Sequence, residues 1–142
     1  AQVFEDLSDK VAAAGNPPVF LACLGQRRDF GGREQFTSNL LLVGGFTFPS
    51  CEGGTPEEIA AQAKESGAAM AVLCSSAKVY AEQAMAVAKA LKGAGVGTVF
   101  IAGRKAEVGD ADVDSVIDGE IFDGMDVVAF ANDTLDRIGA DK

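Results

Sequence analysis

The sequence predicts an α/β domain built on a parallel β-sheet with helices on both faces. Three apolar runs, at residues 19–24, 69–74 and 98–102, show no polar alternation, which is typical of strands covered by helices on both sides. A connection long enough for a helix joins each strand to the next, as parallel pairing requires. Strands and helices therefore alternate along the chain.

The N-terminal residues predict a helix that stands apart from this alternation. Apolar side chains recur at helical spacing over residues 3–14, and Gly15 with the prolines after it ends the pattern. We accordingly predict an N-terminal helix and linker at residues 1–16 and one α/β domain at residues 17–142. Since the chain begins without an initiator methionine or a signal peptide, we expect it to be a processed or excised piece.

The first strand leads into a polar loop that is the first candidate for a functional site. Residues 25–32 contain glycines, two arginines and Asp29, and we expect the next helix to begin near Gly32 and to run to about Leu42. Ligands of open parallel sheets bind beyond the carboxyl ends of the strands. The position of this loop therefore favours a binding role.

The remaining elements bring the number of predicted strands to five. They are a short strand at 46–48, a helix that a T-P-E-E capping box opens at 55–58, the strand at 69–74, a helix that ends at Gly93, the strand at 98–102, a strand within 116–122 and a closing helix capped by Asp123. For a domain of this size we predict the flavodoxin-like (Rossmann-like) strand order 2-1-3-4-5. Its switch point lies between the first and third strands, where the loops 25–32 and 75–77 meet.

Composition excludes several classes of function. The 12 Lys and Arg residues against 21 Asp and Glu give a net charge of -9, which excludes a binder of nucleic-acid phosphates. No apolar run approaches the roughly 20 residues of a membrane helix, so we expect no membrane association. The absence of histidine removes the usual general base and the commonest metal ligand. Three cysteines without metal-site spacing make the reducing cytoplasm the expected location.

Side chains at the ends of two strands are the remaining candidates. Cys23 and Cys74 are expected to be neighbours and to be buried as small apolar thiols. Ser75 and Ser76 stand where a strand meets the next helix. Either a serine caps that helix or the serines face a ligand, and the residues leave both alternatives open. We predict no catalytic residue and no metal ligand.

Short motifs at the strand ends carry a family resemblance. They are Leu-Gly-Gln at 24–26 followed by Gly32, Cys-Ser-Ser at 74–76 and Ile-Ala-Gly at 101–103. This pattern resembles the cobalamin-binding domain of the methylmalonyl-CoA mutases. The T-P-E-E helix start and the run at 74–83 resemble the small, non-catalytic subunit of the two-subunit bacterial enzymes. The resemblance spans nearly all of residues 4–139.

The resemblance also shows which cofactor positions have changed in this chain. Cobalamin-binding members carry D-x-H-x-x-G after the first strand, where the histidine ligates cobalt and the aspartate orients it. The equivalent positions here are Arg27, Asp29 and Gly32, the S-x-L motif becomes Ser75 with Ala77, and the G-G pair becomes Ala102 with Gly103. A carboxylate replaces imidazole poorly on cobalt, and arginine cannot accept a hydrogen bond. We therefore expect this chain to bind no cofactor.

The resemblance implies a module without catalytic residues of its own. It would belong to a small subunit with an N-terminal barrel domain. That subunit would form a heterodimer with a large catalytic subunit, an isomerase that binds adenosylcobalamin and interconverts methylmalonyl-CoA and succinyl-CoA. Two alternatives stay open. One is a domain that still binds cobalamin through the cofactor's own benzimidazole, which Gly32, Ser75 and Gly103 favour; the other is an unrelated flavodoxin-like binding or regulatory module.

Overall fold

Four parallel strands form the sheet in the part of the chain that the structure describes. The computed structural model describes residues 18–44, 46–51, 54–109, 112–122, 129–130 and 133–134. The strands are β1 (Val19–Cys23), β2 (Met70–Cys74), β3 (Thr98–Ala102) and β4 (Gly119–Ile121). They are hydrogen-bonded in the order β1-β2-β3-β4, and every pair is parallel.

Helices connect these strands and cover both faces of the sheet. They are α1 (Arg27–Gly44), α2 (Pro56–Ser66), α3 (residues 77–93) and α4 (Val113–Val116), with a 3₁₀ turn at Lys105–Glu107. Helix α3 consists of three consecutive segments, of which the middle one, Tyr80–Ala84, is π-helical. No helix within the described ranges combines the length and the apolar character needed to cross a membrane.

Strands β1, β2 and β3 bury their side chains alternately on the two faces of the sheet. The cluster on the α1 face includes Val19, Leu21, Cys23, Phe30 and Leu41, and the cluster on the face of α2 and α3 includes Phe20, Ala22, Ile59, Tyr80 and Leu91. The predicted parallel α/β architecture is confirmed, with a separate apolar core on each side of the sheet.

The sheet has four strands over the described residues rather than the predicted five, and the predicted order 2-1-3-4-5 stays unconfirmed. The segment predicted as a strand at 46–48 makes one isolated parallel bridge, Thr47 to Pro18, and a second isolated bridge, Ser50 to Leu21, lies just after it. The backbone of β1 donates to the carbonyls of Thr47 and Pro49. Proline has no N–H to return such a bond, and a regular ladder does not form.

The predicted loop at 25–32 is also corrected, because α1 already begins at Arg27. The Oδ2 atom of Asp29 accepts a hydrogen bond of 3.1 Å from the backbone N–H of Gln26. This is the carboxylate half of a capping box, and a negative charge in the first turn also suits the helix dipole. The glycines that suggested a loop, Gly31 and Gly32, lie inside the helix.

Several other elements were predicted correctly from local sequence patterns. Thr55 and Glu58 form the predicted capping box of α2, which Gly67 closes in the left-handed conformation with φ of 74°. The side chains of Tyr80, Ala84, Val87 and Leu91 on α3 are buried, and β4 lies within the range predicted for the last strand. The predicted N-terminal helix and Asp123 lie outside the described residues.

Candidate functional site

The candidate positions are spread along the carboxyl edge of the sheet rather than gathered into one site. Arg27 and Asp29 occupy the first turn of α1, and Gly32 is exposed one turn further along the same helix. Ser75 follows β2, whereas Ala102 ends β3 and Gly103 follows it. Ser75, Ala102 and Gly103 are connected by side chains from other parts of the chain, which the sequence analysis did not single out for this site.

A buried hydrogen-bond network ties the ends of three strands together around Ser75 and Tyr80. The Ser75 hydroxyl donates to the carbonyl of Leu24 at 2.8 Å, and the Ser75 N–H donates to the Tyr80 hydroxyl oxygen at 2.9 Å. That hydroxyl lies 2.7 Å from the carbonyl oxygen of Ala102 and 3.0 Å from that of Leu73. Burial, above all, raises the pKa of the Tyr80 phenol, so the hydroxyl keeps its proton.

The two serines after β2 have different roles. Ser76 caps α3, because its hydroxyl oxygen accepts from the N–H of Val79 at 3.4 Å. Of the two alternatives left open by the sequence, the capping role holds for Ser76, whereas Ser75 is fully buried and bonds to the neighbouring strand end. Ser75 therefore holds β1 and β2 together and faces no open cleft.

An ion pair fills the space above the end of β3. The Nη2 atom of Arg33 lies 2.8 Å from Oε1 of Glu107, and Nη1 donates to the carbonyl of Ala102 at 3.0 Å. The guanidinium carbon also lies 5.3 Å from the ring centre of Tyr80. Gly103 has a φ of 129°, and a Cβ at that position would lie 2.5 Å from both Arg33 and Glu107. Glycine at this position therefore makes room for the chain's own ion pair.

A small apolar cavity lies next to this ion pair. Its volume is about 270 Å³, and its lining residues are Arg33, Phe36, Ala102, Gly103, Ile121 and Phe122. The guanidinium of Arg104 lies 3.9 Å from the ring centre of Phe122. Ligand pockets typically have volumes of roughly 300–1,000 Å³, so this cavity lies below the lower end of that range.

The thiols at the ends of β1 and β2 are neighbours, as predicted. Cys23 and Cys74 are register partners, and both are buried on the α1 face. The Cys23 thiol donates to Oε2 of Glu34 at 3.0 Å. A hydrogen bond with Cys74 and burial raise the pKa of the Cys23 thiol. Because the thiolate is the reactive form, the Cys23 thiol is a poor nucleophile and a poor metal ligand.

The residues at this edge do not provide a protein side chain suited to ligate cobalt. The sequence contains no histidine, and the Asp29 carboxylate at the histidine position accepts a hydrogen bond within its own helix turn. No group of three or more His, Cys, Asp and Glu side chains in the described ranges is arranged to hold a metal ion. The donor set thus lacks both the ligand and the carboxylate that would orient it.

Sequence reasoning did not single out Arg33, Glu34, Glu107 or Tyr80 as site residues. Tyr80, the one tyrosine of the sequence, was the one usable signal, since a buried tyrosine hydroxyl normally has a partner. Nothing local connects Arg33 with Glu107, because the two residues lie on elements that are distant in the sequence. Their pairing follows only from the fold.

Comparisons with known proteins agree with the resemblance seen in the motifs. No family model matches the chain. It is 50% identical over 145 residues to the methylmalonyl-CoA mutase small subunit of Propionibacterium freudenreichii subsp. shermanii, an alignment that covers 100% of the chain and 23% of that protein. It is 44% identical over 129 residues to the methylmalonyl-CoA mutase small subunit of Streptomyces virginiae, covering 90% of the chain and 20% of that protein.

The chain therefore spans about a fifth of the length of the curated relatives it matches. The recognition made from the strand-end motifs is confirmed at this level. The chain is similar, along its whole length, to a segment of the methylmalonyl-CoA mutase small subunits.

Proposed function

We propose that this chain is a non-catalytic, cofactor-free module of a methylmalonyl-CoA mutase small subunit, and that its role is structural. The observation that carries the proposal is the closed carboxyl edge of the sheet. Tyr80, Ser75 and the ion pair of Arg33 with Glu107 occupy the place where α/β domains usually bind ligands.

The closed edge leaves a ligand few partners for hydrogen bonds. The carbonyl of Ala102 already accepts from both Tyr80 and Arg33, and the carbonyl of Leu24 accepts from Ser75. A ligand would have to displace these contacts, and each buried polar group left without a partner costs about 1–3 kcal/mol. This network therefore favours a permanently filled edge over a binding cleft.

The cavity and the donor chemistry support the same proposal. A corrin ring with a nucleotide tail is larger than a drug-sized ligand, whereas the cavity at this edge holds about 270 Å³. The position of the missing histidine holds Asp29, which is engaged with Gln26. This cavity is smaller than such a cofactor, and the residues described provide no imidazole ligand for cobalt.

The partner follows from the naming of the relatives as small subunits. We infer a heterodimer with a large catalytic subunit that carries adenosylcobalamin and isomerises methylmalonyl-CoA and succinyl-CoA. Within the small subunit, residues 17–142 would form the α/β domain behind the N-terminal helix and linker. The three free cysteines are compatible with a cytoplasmic location.

A titration with cobalamin tests the absence of a cofactor site. Adenosylcobalamin and hydroxocobalamin are added separately to the purified chain, and the visible absorbance is followed in both cases. We expect spectra that equal the sum of protein and free cofactor up to high micromolar concentrations. A saturable shift in the micromolar range would overturn the proposal. A base-on spectrum of the bound form would then support binding through the cofactor's own benzimidazole.

A second experiment tests the partnership. The chain is tagged at its genomic locus, and the complex is purified from the source cells and identified by mass spectrometry. Stoichiometric recovery of a large mutase subunit supports the structural role. Recovery of the tagged polypeptide without that subunit would instead favour an independent binding or regulatory module.

A further inference from the structure

Two adjacent thiols, those of Cys23 and Cys74, lie in the core between α1 and the sheet. The Cys23 thiol donates to Oε2 of Glu34 at 3.0 Å, and the Cys74 thiol donates to Oγ1 of Thr37 at 3.8 Å. The two thiols also share a hydrogen bond with each other. Both cysteines are fully buried, whereas Glu34 is half-buried. This pair of thiols has no part in the closed carboxyl edge on which the proposed function rests.

The fold brings these two thiols into the arrangement that a disulfide requires. Cys23 and Cys74 are register partners in neighbouring parallel strands, and each is the last residue of its strand. Neighbouring strands lie about 4.8 Å apart, and disulfide-bonded cysteines have Cα atoms roughly 4.4–6.8 Å apart. Both side chains belong to the core cluster on the α1 face, so they point to the same side of the sheet. A bond between their sulfur atoms therefore needs no new pairing of the strands.

The third cysteine, Cys51, provides an internal comparison. It stands between Cys23 and Cys74 in the sequence, and its thiol donates to the carbonyl of Cys23 at 3.7 Å. Its side chain, however, belongs to the core cluster on the face of α2 and α3, which is the opposite side of the sheet from the other two thiols. The folded chain therefore favours the pair of Cys23 with Cys74. The unfolded chain favours pairs with Cys51, because those pairs close shorter loops.

We propose that Cys23 and Cys74 form a reversible, redox-sensitive disulfide that joins the carboxyl ends of β1 and β2. The oxidant is a small disulfide of the glutathione class. One cysteine thiolate attacks it, so that its S–S bond breaks, a mixed disulfide forms and one glutathione thiolate leaves. The second cysteine thiolate attacks the protein sulfur of the mixed disulfide and releases the second glutathione thiolate. The two thiol protons of the cysteines end on the two glutathione molecules, which are thereby reduced.

The disulfide is expected to form while the strands align or open rather than in the closed native chain. Neither thiol has exposed surface, and a hydrogen bond with Cys74 together with burial raises the pKa of the Cys23 thiol. Only the thiolate attacks a disulfide, so exchange in the native chain is slow. A reducing compartment keeps the thiols free, and the cross-link then marks a change to oxidising conditions.

The disulfide exchanges one contact at the carboxyl end of β1 for another. A sulfur in a disulfide has no proton to donate, so the half-buried carboxylate of Glu34 loses the thiol of Cys23 as a partner and turns to water. Helix α1 thereby loses a contact with the sheet, while β1 and β2 become covalently joined. Because the cross-link closes a long loop of the unfolded chain, the oxidised chain is expected to have a higher Tm than the reduced chain.

The test refolds the chain from urea in excess glutathione disulfide and maps the cross-links by proteolysis and mass spectrometry. A second sample stays in urea in the same buffer. We expect the refolded chain to join Cys23 to Cys74 and to keep Cys51 as a thiol. In urea this pairing should be roughly tenfold less abundant, because the shorter loops to Cys51 compete with it. Cys51→Ser is the matched control and should retain the cross-link, whereas Cys74→Ser should give no disulfide in the folded chain.

Two results would overturn the proposal. The first is a chain with native circular dichroism whose Cys23 and Cys74 are still reduced, or carry only glutathione, after equilibration in this buffer. The second is a disulfide that includes Cys51 in the folded chain, because the sheet would then not separate the thiols as described. Long incubation of the native chain in the same buffer reaches the same equilibrium without refolding, so a poor yield of refolded protein does not decide the outcome.

Discussion

Arg33 reaches Glu107 directly above Gly103, with 2.8 Å between Nη2 of the arginine and Oε1 of the glutamate. This contact joins α1 to the 3₁₀ turn after β3 across the carboxyl edge of the sheet. Because the Arg33 side chain also donates to Ala102 and lies beside the Tyr80 ring, one arginine connects the surface ion pair with the buried network. The closed edge is thus a single connected unit.

Gly103→Ala is expected to destabilise the fold by about 2–4 kcal/mol, because it combines a strained φ with a clash. The φ of 129° is unfavourable for alanine, and the new Cβ would press on Arg33 and Glu107. Urea unfolding measures the change in the free energy of unfolding. Gly32→Ala is the control in the isolated chain: its Cβ meets open space inside a helix, so it is expected to stabilise by up to about 1 kcal/mol. Equal effects of the two variants would contradict the steric argument.

Tyr80→Phe is expected to lower the free energy of unfolding by about 1–3 kcal/mol, since it removes the acceptor of the buried Ser75 N–H. The ring volume is nearly unchanged, so the loss reports on the hydroxyl rather than on packing. The measurement is chemical unfolding of both proteins. Ser38→Ala serves as the control, because its hydroxyl donates to the carbonyl of Gln35 at the surface. That variant is expected to change stability by no more than about 0.5 kcal/mol.

The capping box of α2 is expected to make part of the stability depend on pH. Bonds to the Thr55 backbone and side chain lower the pKa of Glu58 below its ordinary value. A lowered folded-state pKa contributes stability that is present above the unfolded pKa of about 4.3 and is lost as the pH falls through the folded value. Urea unfolding should therefore show that the free energy of unfolding falls between pH 6 and pH 3, and that Glu58→Gln makes this decrease smaller. A profile that is identical in the wild type and the variant would exclude this contribution.

Removing the cap itself is expected to weaken α2 at every pH. Thr55→Ala deletes the hydroxyl oxygen that accepts from the Glu58 N–H and costs about 1 kcal/mol. Thr55→Ser keeps the acceptor and provides the matched control. Guanidinium unfolding at neutral pH compares the two variants, and an unchanged midpoint for Thr55→Ala would argue against the capping role.

The three cysteines are expected to resist alkylation in the folded chain. All three are buried and none forms a disulfide, and a hydrogen bond with Cys74 together with burial raises the pKa of Cys23. Iodoacetamide at pH 8, followed by mass spectrometry, should leave the native chain unmodified and add three groups in urea. Rapid labelling of Cys23 in the native protein would show that its thiolate is accessible.

Much of the fold could be predicted because its signals are local, whereas the site could not. The apolar runs of β2 and β3 and the capping box at Thr55 are patterns of neighbouring residues, and the structure places them as predicted. The glycines at 31 and 32 misled the prediction of α1, because the carboxylate of Asp29 stabilises a helix start before them. The segment at 46–48 lies beside β1 but forms no regular ladder of hydrogen bonds with it. Whether such a segment becomes a strand depends on Pro49 and on the exact pairing of the two backbones.

The sequence by itself determined the α/β class, the kinship with mutase small subunits and the lack of histidine, because composition and short motifs carry this information. Only the tertiary structure decided what occupies the carboxyl edge of the sheet. Tyr80, Arg33 and Glu107 come from three separate elements, and their contacts exist only once the parallel strands align. The edge is closed because buried polar groups need hydrogen-bond partners, and here the partners come from distant parts of the chain. No local sequence pattern predicts such pairings.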